Sequence, residues 1–258
     1  MGGMTQDLFR TDAYLSECSA TVTAITAQGI VLDRTVFYPL GGGQAGDAGV
    51  LVLADGHEIA IVDTRKGKFE DGRFSEDICH LPMPDVLEQL LNSEQTSSVG
   101  IAVGCAVTAR IDWARRHRMM RFHTTTHLLC HLVPQLVNGC SITPDYARLD
   151  FNMTDPLDKE ALTAGIAQLV AANHPVTVGA ITDDELDANP ALVKSMSVQP
   201  PRGSGQVRTI RIGTNELIDF QPCGGTHVAS TGEIGSVIVT KIEKKSASTR
   251  RVVLGFGP

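Results

Sequence analysis

Alternating hydrophobic and polar residues dominate the first hundred positions of the chain. Short stretches rich in Val, Ile and Thr are separated by Gly and Asp, which is the pattern of β-strands joined by turns. This pattern predicts strands over residues 20–27, 29–33, 49–54, 58–63 and 101–111. Apolar residues recur at helical spacing over residues 84–91, which predicts one short helix, and the polar residues 92–100 then predict a loop.

The pattern changes at Asp112, where a helical periodicity begins. Helices are predicted over residues 112–136, 156–172 and 183–195, the second of them capped by Thr154 or Asp155. Further strands are predicted over residues 146–151, 176–181, 207–212, 234–242 and 251–254. The spacing of these strands does not demand parallel crossovers. We therefore expect an α+β protein with a β-rich first domain, residues 1–111, and a mixed second domain, residues 112–258.

Composition narrows the class of protein. Hydrophobic residues make up 42% of the 258 positions, enough for a packed core. The sequence contains neither an apolar stretch of membrane-spanning length nor a secretory signal, so we expect no membrane partner and a cytoplasmic location. The six cysteines are irregularly spaced, and we expect them to be reduced.

The net charge of −7 argues against binding of nucleic acid by the whole surface, but not by a local basic patch. Two basic clusters are candidates: Arg110, Arg115, Arg116, Arg118 and Arg121, and then Lys241, Lys244, Lys245, Arg250 and Arg251. Such runs are most often solvated faces. The first cluster, however, leads directly into the residues with the strongest chemical signal.

That signal is a pair of short motifs about a hundred residues apart. His123 and His127 are four residues apart in a predicted helix, so both imidazoles lie on one face. Cys223 and His227 flank a Gly-Gly-Thr sequence, whose glycines permit a tight backbone. Zinc accepts both nitrogen and thiolate sulfur, so these four residues are a candidate zinc site. His131, one turn further on, is expected to be a residue of the helix face.

Two alternatives remain open for the motifs. Four protein ligands leave no position for water, and closed zinc sites are usually structural. Cys223 could instead act as a nucleophile, although no activating base is evident nearby in the sequence.

Three consecutive glycines, Gly41, Gly42 and Gly43, precede Gln44. A glycine run can expose backbone N–H groups and let a ligand approach closely, although it is more often a simple turn. It is not a nucleotide-binding P-loop, because the Lys and Ser/Thr that complete that motif are missing. Gln44 could orient a polar group of a substrate.

Taken together, these segments resemble the free-standing AlaX-type editing proteins, which are similar to the editing domain of alanyl-tRNA synthetase. The segments that carry the resemblance are residues 37–39, 41–44, 111–113, 115–116, 123–129, 219, 222–228, 241–245 and 250–251. The glycine run with Gln44 and the additional N-terminal domain point to the longer members of that family. The editing domain of threonyl-tRNA synthetases shares the two-motif layout but is a weaker match.

The resemblance implies a small β-barrel-like N-terminal domain and an editing domain with a largely antiparallel sheet. It implies zinc held by His123, His127, Cys223 and His227. It also implies hydrolysis of serine, with glycine as a second candidate, from mischarged alanine tRNA in trans. Thr126 matches a family position near the bound amino acid, and Thr126 and Gln44 are candidates for recognising the serine hydroxyl, which alanine lacks.

Three further expectations follow. Asp219 could be an outer partner of a ligand histidine, although a surface aspartate is the commoner case. Contacts with the RNA backbone are predicted for Arg115, Arg116, Arg118, Lys244, Lys245, Arg250 and Arg251. Two other functions remain open, a non-enzymatic zinc-stabilised tRNA-binding module and a zinc hydrolase of another small ester or amide. The sequence leaves the oligomeric state open.

Overall fold

The computed structural model describes residues 4–92, 100–200 and 205–258. The chain divides into two compact units. The first unit contains Met1–Gly41 and Ala45–Arg116, and the second contains Gly42–Gln44 and His117–Pro258. In the described ranges, no helix combines the length and apolar character needed to cross a membrane.

The first unit is built mainly of strands. They are β1 (Gln6–Asp7), β2 (Glu17–Thr26), β3 (Gly29–Leu32), β4 (Arg34–Thr35), β5 (Gly49–Leu53), β6 (Glu58–Lys68), β7 (Phe74–Pro82) and β8 (Ala106–Ile111). One helix, α1 (Pro84–Asn92), follows β7, and a 3₁₀ turn covers Leu8–Arg10. β1 pairs with β4 in a small parallel ribbon.

Six strands of this unit pair in a closed ring, in the order β2-β3-β7-β6-β5-β8. All six pairings are antiparallel, and β8 closes the ring by pairing with both β5 and β2. Side chains alternate across each strand, so every second residue points to the interior. The interior is apolar, with Leu32, Leu51 and Ala109 completely buried. Burial of this apolar surface is the main stabilising contribution to the unit.

The second unit begins with the long helix α2 (Trp113–Leu132), whose first residues belong to the first unit. Its other elements are β9 (Val137–Ile142), β10 (Ala147–Asn152), α3 (Lys159–Ala171), β11 (Val176–Thr182), α4 (Asp183–Ala188), β12 (Gln206–Ile212), β13 (Asp219–Pro222), β14 (Val237–Ser246) and β15 (Thr249–Phe256). Two 3₁₀ turns cover Pro190–Leu192 and Thr231–Ile234.

The strands of the second unit form two antiparallel sheets. One has the order β14-β15-β10-β9 and the other the order β11-β12-β13. α2 is a buried helix over most of its length, because nearly every side chain from Met119 to Cys130 is buried. A helix that is buried all round normally carries apolar residues. Here the buried stretch includes two histidines and three threonines, so each of these polar groups needs a hydrogen-bond partner.

The predicted α+β class, with mostly antiparallel strands, is confirmed. The predicted strands in the first hundred residues are all present with shifted ends, except that residues 101–105 do not extend β8. The prediction missed β7, β9 and β13, which lack a run of alternating apolar residues, and the two-residue strands β1 and β4. The predicted loop over residues 92–100 lies largely outside the described residues.

The predicted helix ends were wrong at several positions. α2 ends at Leu132 instead of residue 136, because Pro134 cannot continue a helix. α3 begins at Lys159, and its cap is Asp158, whose carboxylate accepts a hydrogen bond from the Ala161 N–H at 2.9 Å. Thr154 and Asp155 are therefore not the cap. α4 stops at Ala188, just before Asn189 and Pro190, so residues 183–195 are not one helix. The predicted strand over residues 234–242 starts three residues later, after a 3₁₀ turn.

Candidate metal centre

The two sequence motifs meet in the second unit. One donor atom from each of His123, His127, Cys223 and His227 lies within 4.8 Å of the others. The three histidines are almost completely buried, at 4–5% exposure, and the cysteine is half-buried. His131 is exposed and outside this group, as the sequence indicated.

Different elements deliver the two halves of the cluster. His123 and His127 occupy adjacent turns of α2, so their rings project from one face. Cys223 follows directly after β13, and His227 follows the glycines. Gly225 is required here, because a Cβ atom at that position would lie 2.1 Å from Cε1 of His123. The absence of a side chain at this glycine therefore lets the second motif close over the first.

Gln44 holds the ring of His123. Its Oε1 lies 2.7 Å from Nδ1 of His123 and accepts a hydrogen bond from the Thr226 N–H at 3.1 Å. Because the backbone N–H can only donate, the amide orientation is fixed, and Nδ1 of His123 carries the proton. The Gln44 Nε2 also donates to Oγ1 of Thr226 at 2.9 Å. The side chain is completely buried.

Asp219 holds the ring of His127. Its Oδ2 lies 2.7 Å from Nδ1 of His127 and accepts from Nε2 of Gln221 at 2.8 Å, while Oδ1 forms an ion pair with Lys194. Asp219 is 2% exposed, so the surface interpretation of this residue was wrong. Burial raises the pKa of Asp219, but its hydrogen bond and ion pair with His127, and then Lys194, outweigh this and lower the pKa to about 2.

Thr124 holds the third ring. Its hydroxyl donates to the Met120 carbonyl at 3.0 Å, so its oxygen is available as an acceptor for Nδ1 of His227, 3.2 Å away. Every histidine of the cluster thus has an outer partner at Nδ1 and turns Nε2 inward. Nε2 of His123 and of His227 lie 3.4 and 3.3 Å from the Cys223 sulfur. Outer partners of this kind fix the tautomer and orientation of metal-binding histidines.

The protonation states of Cys223 and His227 favour metal binding. Burial lowers the pKa of His127, but its hydrogen bonds with Asp219 and Cys223 outweigh this and raise the pKa to about 9, so that ring must release a proton when a metal binds. Burial opposes ionisation of the Cys223 thiol, but the facing His123 and His227 outweigh it and hold the pKa of Cys223 well below that of a free thiol. Burial and the nearby His123 lower the pKa of His227, which keeps that ring neutral. The neighbouring thiols differ, because burial raises the pKa of both Cys130 and Cys140 to about 12. All six cysteines are free.

The donor set fits zinc. Three imidazole nitrogens and one thiolate are ligands that zinc binds in tetrahedral geometry. Bond lengths of about 2.0–2.1 Å to nitrogen and about 2.3 Å to sulfur place tetrahedral N and S ligands about 3.6 Å apart. The observed separations of 3.4 and 3.3 Å between Cys223 and its two histidines are close to that value.

Several supporting residues escaped the sequence prediction. Arg208 on β12 donates to the carbonyls of Cys223 and Gly225, at 2.6 and 3.1 Å, and so fixes the cysteine loop. Thr124, Lys194 and Thr226 were missed as well. Thr124 and Thr226 lie inside the recognised motifs, which was the available signal. Lys194 and Arg208 have no local motif, because only the tertiary fold brings them to the site.

The glycine run has a structural role on both sides of Gly42. Tyr38 donates from its hydroxyl to the Gly41 carbonyl at 2.9 Å. Gly43 has φ = +86°, and a Cβ there would lie 3.0 Å from Cys140. The Gly43 carbonyl accepts from the Ile142 N–H at 2.8 Å, an arrangement that places the next residue, Gln44, against His123.

Two of the predicted RNA contacts were wrong. Arg116 is completely buried in the first unit, where it pairs with Asp47 and donates to the carbonyls of Ala13 and Val36 at 3.0 and 2.7 Å. Arg250 is 8% exposed and donates to backbone carbonyls, including that of Ser246 at 3.1 Å. Both guanidinium groups are used inside the protein, so neither can reach a phosphate.

The other predicted contacts lie at or near the surface. Lys244 and Lys245 are exposed on β14. Arg251 pairs with Asp150 at 2.7 Å, Arg115 donates to the Gly46 carbonyl at 3.2 Å, and Arg118 is half-buried. Thr126 is 4% exposed, and its hydroxyl donates to the His123 carbonyl at 2.7 Å.

Comparison with known families places the chain among proteins related to tRNA synthetases. Residues 207–253 match the model of the threonyl and alanyl tRNA synthetase second additional domain. This segment includes β12, β13 and the cysteine motif. Residues 10–72 match the model of class II (A) tRNA synthetases.

Individual relatives extend this match to nearly the whole chain. An alanyl-tRNA editing protein, AlaX-M, of Methanosarcina mazei is 33% identical over 96% of this chain and 95% of its own length. The AlaX-M protein of Saccharolobus solfataricus is 31% identical over 99% of this chain and 100% of its own length. The alanine–tRNA ligase of Metallosphaera sedula is 32% identical over 93% of this chain but only 25% of the ligase. The chain therefore belongs to the AlaX family of alanyl-tRNA editing proteins.

Proposed function

We propose that this protein hydrolyses the ester bond of alanine tRNA mischarged with serine or glycine, acting in trans, with a zinc ion held by the four clustered residues. It is accordingly an enzyme, an aminoacyl-tRNA hydrolase. The names of its relatives support the reaction. The observation that carries the proposal is the convergence of His123, His127, Cys223 and His227, with an outer partner behind each imidazole.

We propose a separate role for each residue of the site. The three histidines and Cys223 hold the ion, which would polarise the ester carbonyl, activate a water molecule or position the amino acid. Gln44 has its amide oxygen engaged by His123 and Thr226, so its role is to position His123 instead of contacting substrate directly. Cys223 lies between two imidazoles and is a ligand in this proposal, not a nucleophile.

Thr126 is proposed to recognise the serine side chain. Its hydroxyl proton is used on the His123 carbonyl, so its oxygen presents acceptor lone pairs. A serine hydroxyl can donate to that oxygen, whereas alanine would leave it unpaired. Glycine has no side chain to be recognised in this way, so its acceptance would depend on size.

The tRNA body is proposed to contact the exposed cations Lys244 and Lys245. Further contacts are proposed for the half-buried Arg115, Arg118 and Arg251. A phosphate backbone would be attracted to such cations, in a salt-dependent manner. Charge reversal at Lys244 and Lys245 is expected to weaken tRNA binding and make it less sensitive to salt.

Division of the chain into domains 1–111 and 112–258, and a cytoplasmic location, remain predictions.

Deacylation assays test the proposal. Alanine tRNA charged with serine, glycine or alanine would be incubated with the protein, whose zinc content is measured in the same preparation. We expect release of serine and glycine while alanine stays attached. Cys223→Ala should lose zinc and activity together, whereas Cys140→Ala, which removes a half-buried neighbouring thiol, should keep both. Absence of deacylation by zinc-loaded protein would refute the proposed reaction.

A second candidate is a non-enzymatic, zinc-stabilised tRNA-binding module. The observation in its favour is the complete set of four protein donors, which is typical of structural zinc. This alternative predicts binding of tRNA without turnover. A Thr126→Val variant distinguishes the two, because only the enzyme should lose its preference for serine over alanine.

A further inference from the structure

Two arginines of α2 lie against one aromatic ring in the second unit. The guanidinium carbons of Arg118 and Arg121 are each 4.3 Å from the centroid of the Phe256 ring. Phe256 is itself held by Phe122, which is completely buried, with ring centroids 4.3 Å apart. The ring therefore joins both cations to the core of the unit and gives each a fixed surface to stack on.

Backbone carbonyls orient the two guanidinium groups. The Nε of Arg118 donates to the Pro144 carbonyl at 2.7 Å, and the Nε of Arg121 donates to the Ile234 carbonyl at 2.6 Å. Both side chains are half-buried. The two terminal nitrogens of each guanidinium group remain as hydrogen-bond donors. Two such pairs of donors match the oxygens of a phosphate group.

Neither arginine forms an ion pair with any carboxylate in the part of the chain that the structure describes. Burial, and then the charge of Arg118, lower the pKa of Arg121. In contrast, Arg65 and Arg73 lie beside Asp63 and Asp71 at 2.7 and 2.6 Å.

We infer that Arg118 and Arg121, mounted on Phe256, form a preorganised clamp for one phosphodiester group of the tRNA backbone. This inference rests on the proposed function, because it takes tRNA as the partner. It adds Arg121, a member of the first basic cluster that was not among the individually predicted RNA contacts, and gives Arg118 a defined geometry. Because the two guanidinium groups are already held in place, binding causes a smaller loss of side-chain entropy.

Binding of uncharged alanine tRNA tests the clamp without depending on catalysis. The dissociation constant would be measured between 50 and 300 mM KCl for the wild-type protein and for the double variant Arg118→Gln/Arg121→Gln. We expect binding about 10- to 100-fold weaker in the double variant, and a slope of log Kd against log salt lower by about one. Circular dichroism and zinc content verify that the variant is folded.

The matched control is Arg65→Gln/Arg73→Gln, which removes the same charge from exposed arginines that already have carboxylate partners. We expect this control to bind within about twofold of wild type. A further variant, Phe256→Leu, keeps both cations and removes the ring, and should weaken binding about 3- to 10-fold. Equal binding by the arginine variant and its control would overturn the clamp, as would a wild-type protein that does not bind the tRNA. Deacylation measured separately on seryl-tRNA reports on the proposed function itself.

Discussion

The interiors of the two units differ in what fills them. The interior of the first unit is dominated by aliphatic side chains such as Leu32 and Leu51, enclosed by strands that pair in a ring. The interior of the second unit contains the half-buried Cys223 and three buried histidines, with a threonine, a glutamine and an aspartate behind the rings. Apolar burial is the main stabilising contribution to the first, in which the buried Arg116 and Asp47 pair with one another. The metal-ligand cluster of the second depends on complete pairing of its polar groups.

This difference has a consequence for stability. A buried polar cluster is favourable only when every donor and acceptor is satisfied, and a bound metal would satisfy the inward atoms here. The buried polar groups of the first unit, such as Arg116 with Asp47 and His80 with Thr35, already have protein partners and need no metal. We therefore expect the two units to respond differently to the same treatments, and four experiments make the contrast measurable.

Removal of the metal should have the largest effect. Dialysis against a strong chelator should lower the melting temperature of the transition that reports the second unit by at least about 10 °C. Hydrogen exchange should show loss of protection in α2 and β13, with β2 and β3 of the first unit unchanged. Equal loss of protection in both units would contradict the contrast.

A cavity in the first unit should destabilise the protein without disturbing the cluster. Leu32→Ala removes a completely buried side chain and should cost about 2–5 kcal/mol in the free energy of unfolding. The zinc-to-protein ratio should stay at the wild-type value. The control is Val62→Ala, at a side chain that is 45% exposed, and it should change stability by less than about 0.5 kcal/mol.

Acid should destabilise the first unit through His80. This ring is completely buried, contacts Oγ1 of Thr35 at 2.7 Å, and has its pKa lowered by burial to about 4. Between pH 6.5 and 4 the unfolded chain takes up a proton that the folded state does not, so stability falls as the pH falls through this window. The loss should amount to about 3 kcal/mol.

Denaturant titrations from pH 7 to pH 4 measure this dependence. His80→Asn should remove that part of the pH dependence, whatever its effect on stability at pH 7. The exposed His57→Asn serves as the control and should retain the wild-type profile. If the profile of His80→Asn overlaid that of wild type, His80 would not be the group responsible.

Loss of one outer partner should have a smaller effect, confined to the metal. Asp219→Asn keeps the shape of the side chain but removes the charge shared by His127 and Lys194, and should weaken zinc binding about 10- to 100-fold. Asp150→Asn is the matched control, since that carboxylate pairs with Arg148 and Arg251. Competition with a chelating dye measures both, and equal affinities would exclude Asp219 from the centre.

The same contrast explains what the sequence could predict. Alternation of apolar residues revealed most strands of the first unit, because a barrel interior imposes a period of two. In the second unit the ligand motifs were visible, since four-residue spacing on a helix and a Cys-Gly-Gly-Thr-His segment are local features. Lys194 and Arg208 were invisible, because they support the site only through the tertiary fold.

Basic residues were the least predictable. Arg115, Arg116 and Arg118 look alike in sequence, yet the second is completely buried against Asp47 while the third lies on Phe256. Charge along a sequence does not reveal whether a guanidinium group faces solvent, a carboxylate or a carbonyl. That distinction depends on which side of α2 each residue occupies and on what packs there.

X-ray absorption at the zinc edge tests the central claim most directly, because it counts the ligand atoms around the metal. For the zinc-loaded protein, we expect one sulfur at about 2.3 Å and three nitrogens at about 2.0–2.1 Å, with the sulfur shell lost in Cys223→Ala. A shell made only of oxygen and nitrogen in the wild-type protein, or one with two or more sulfurs, would contradict it.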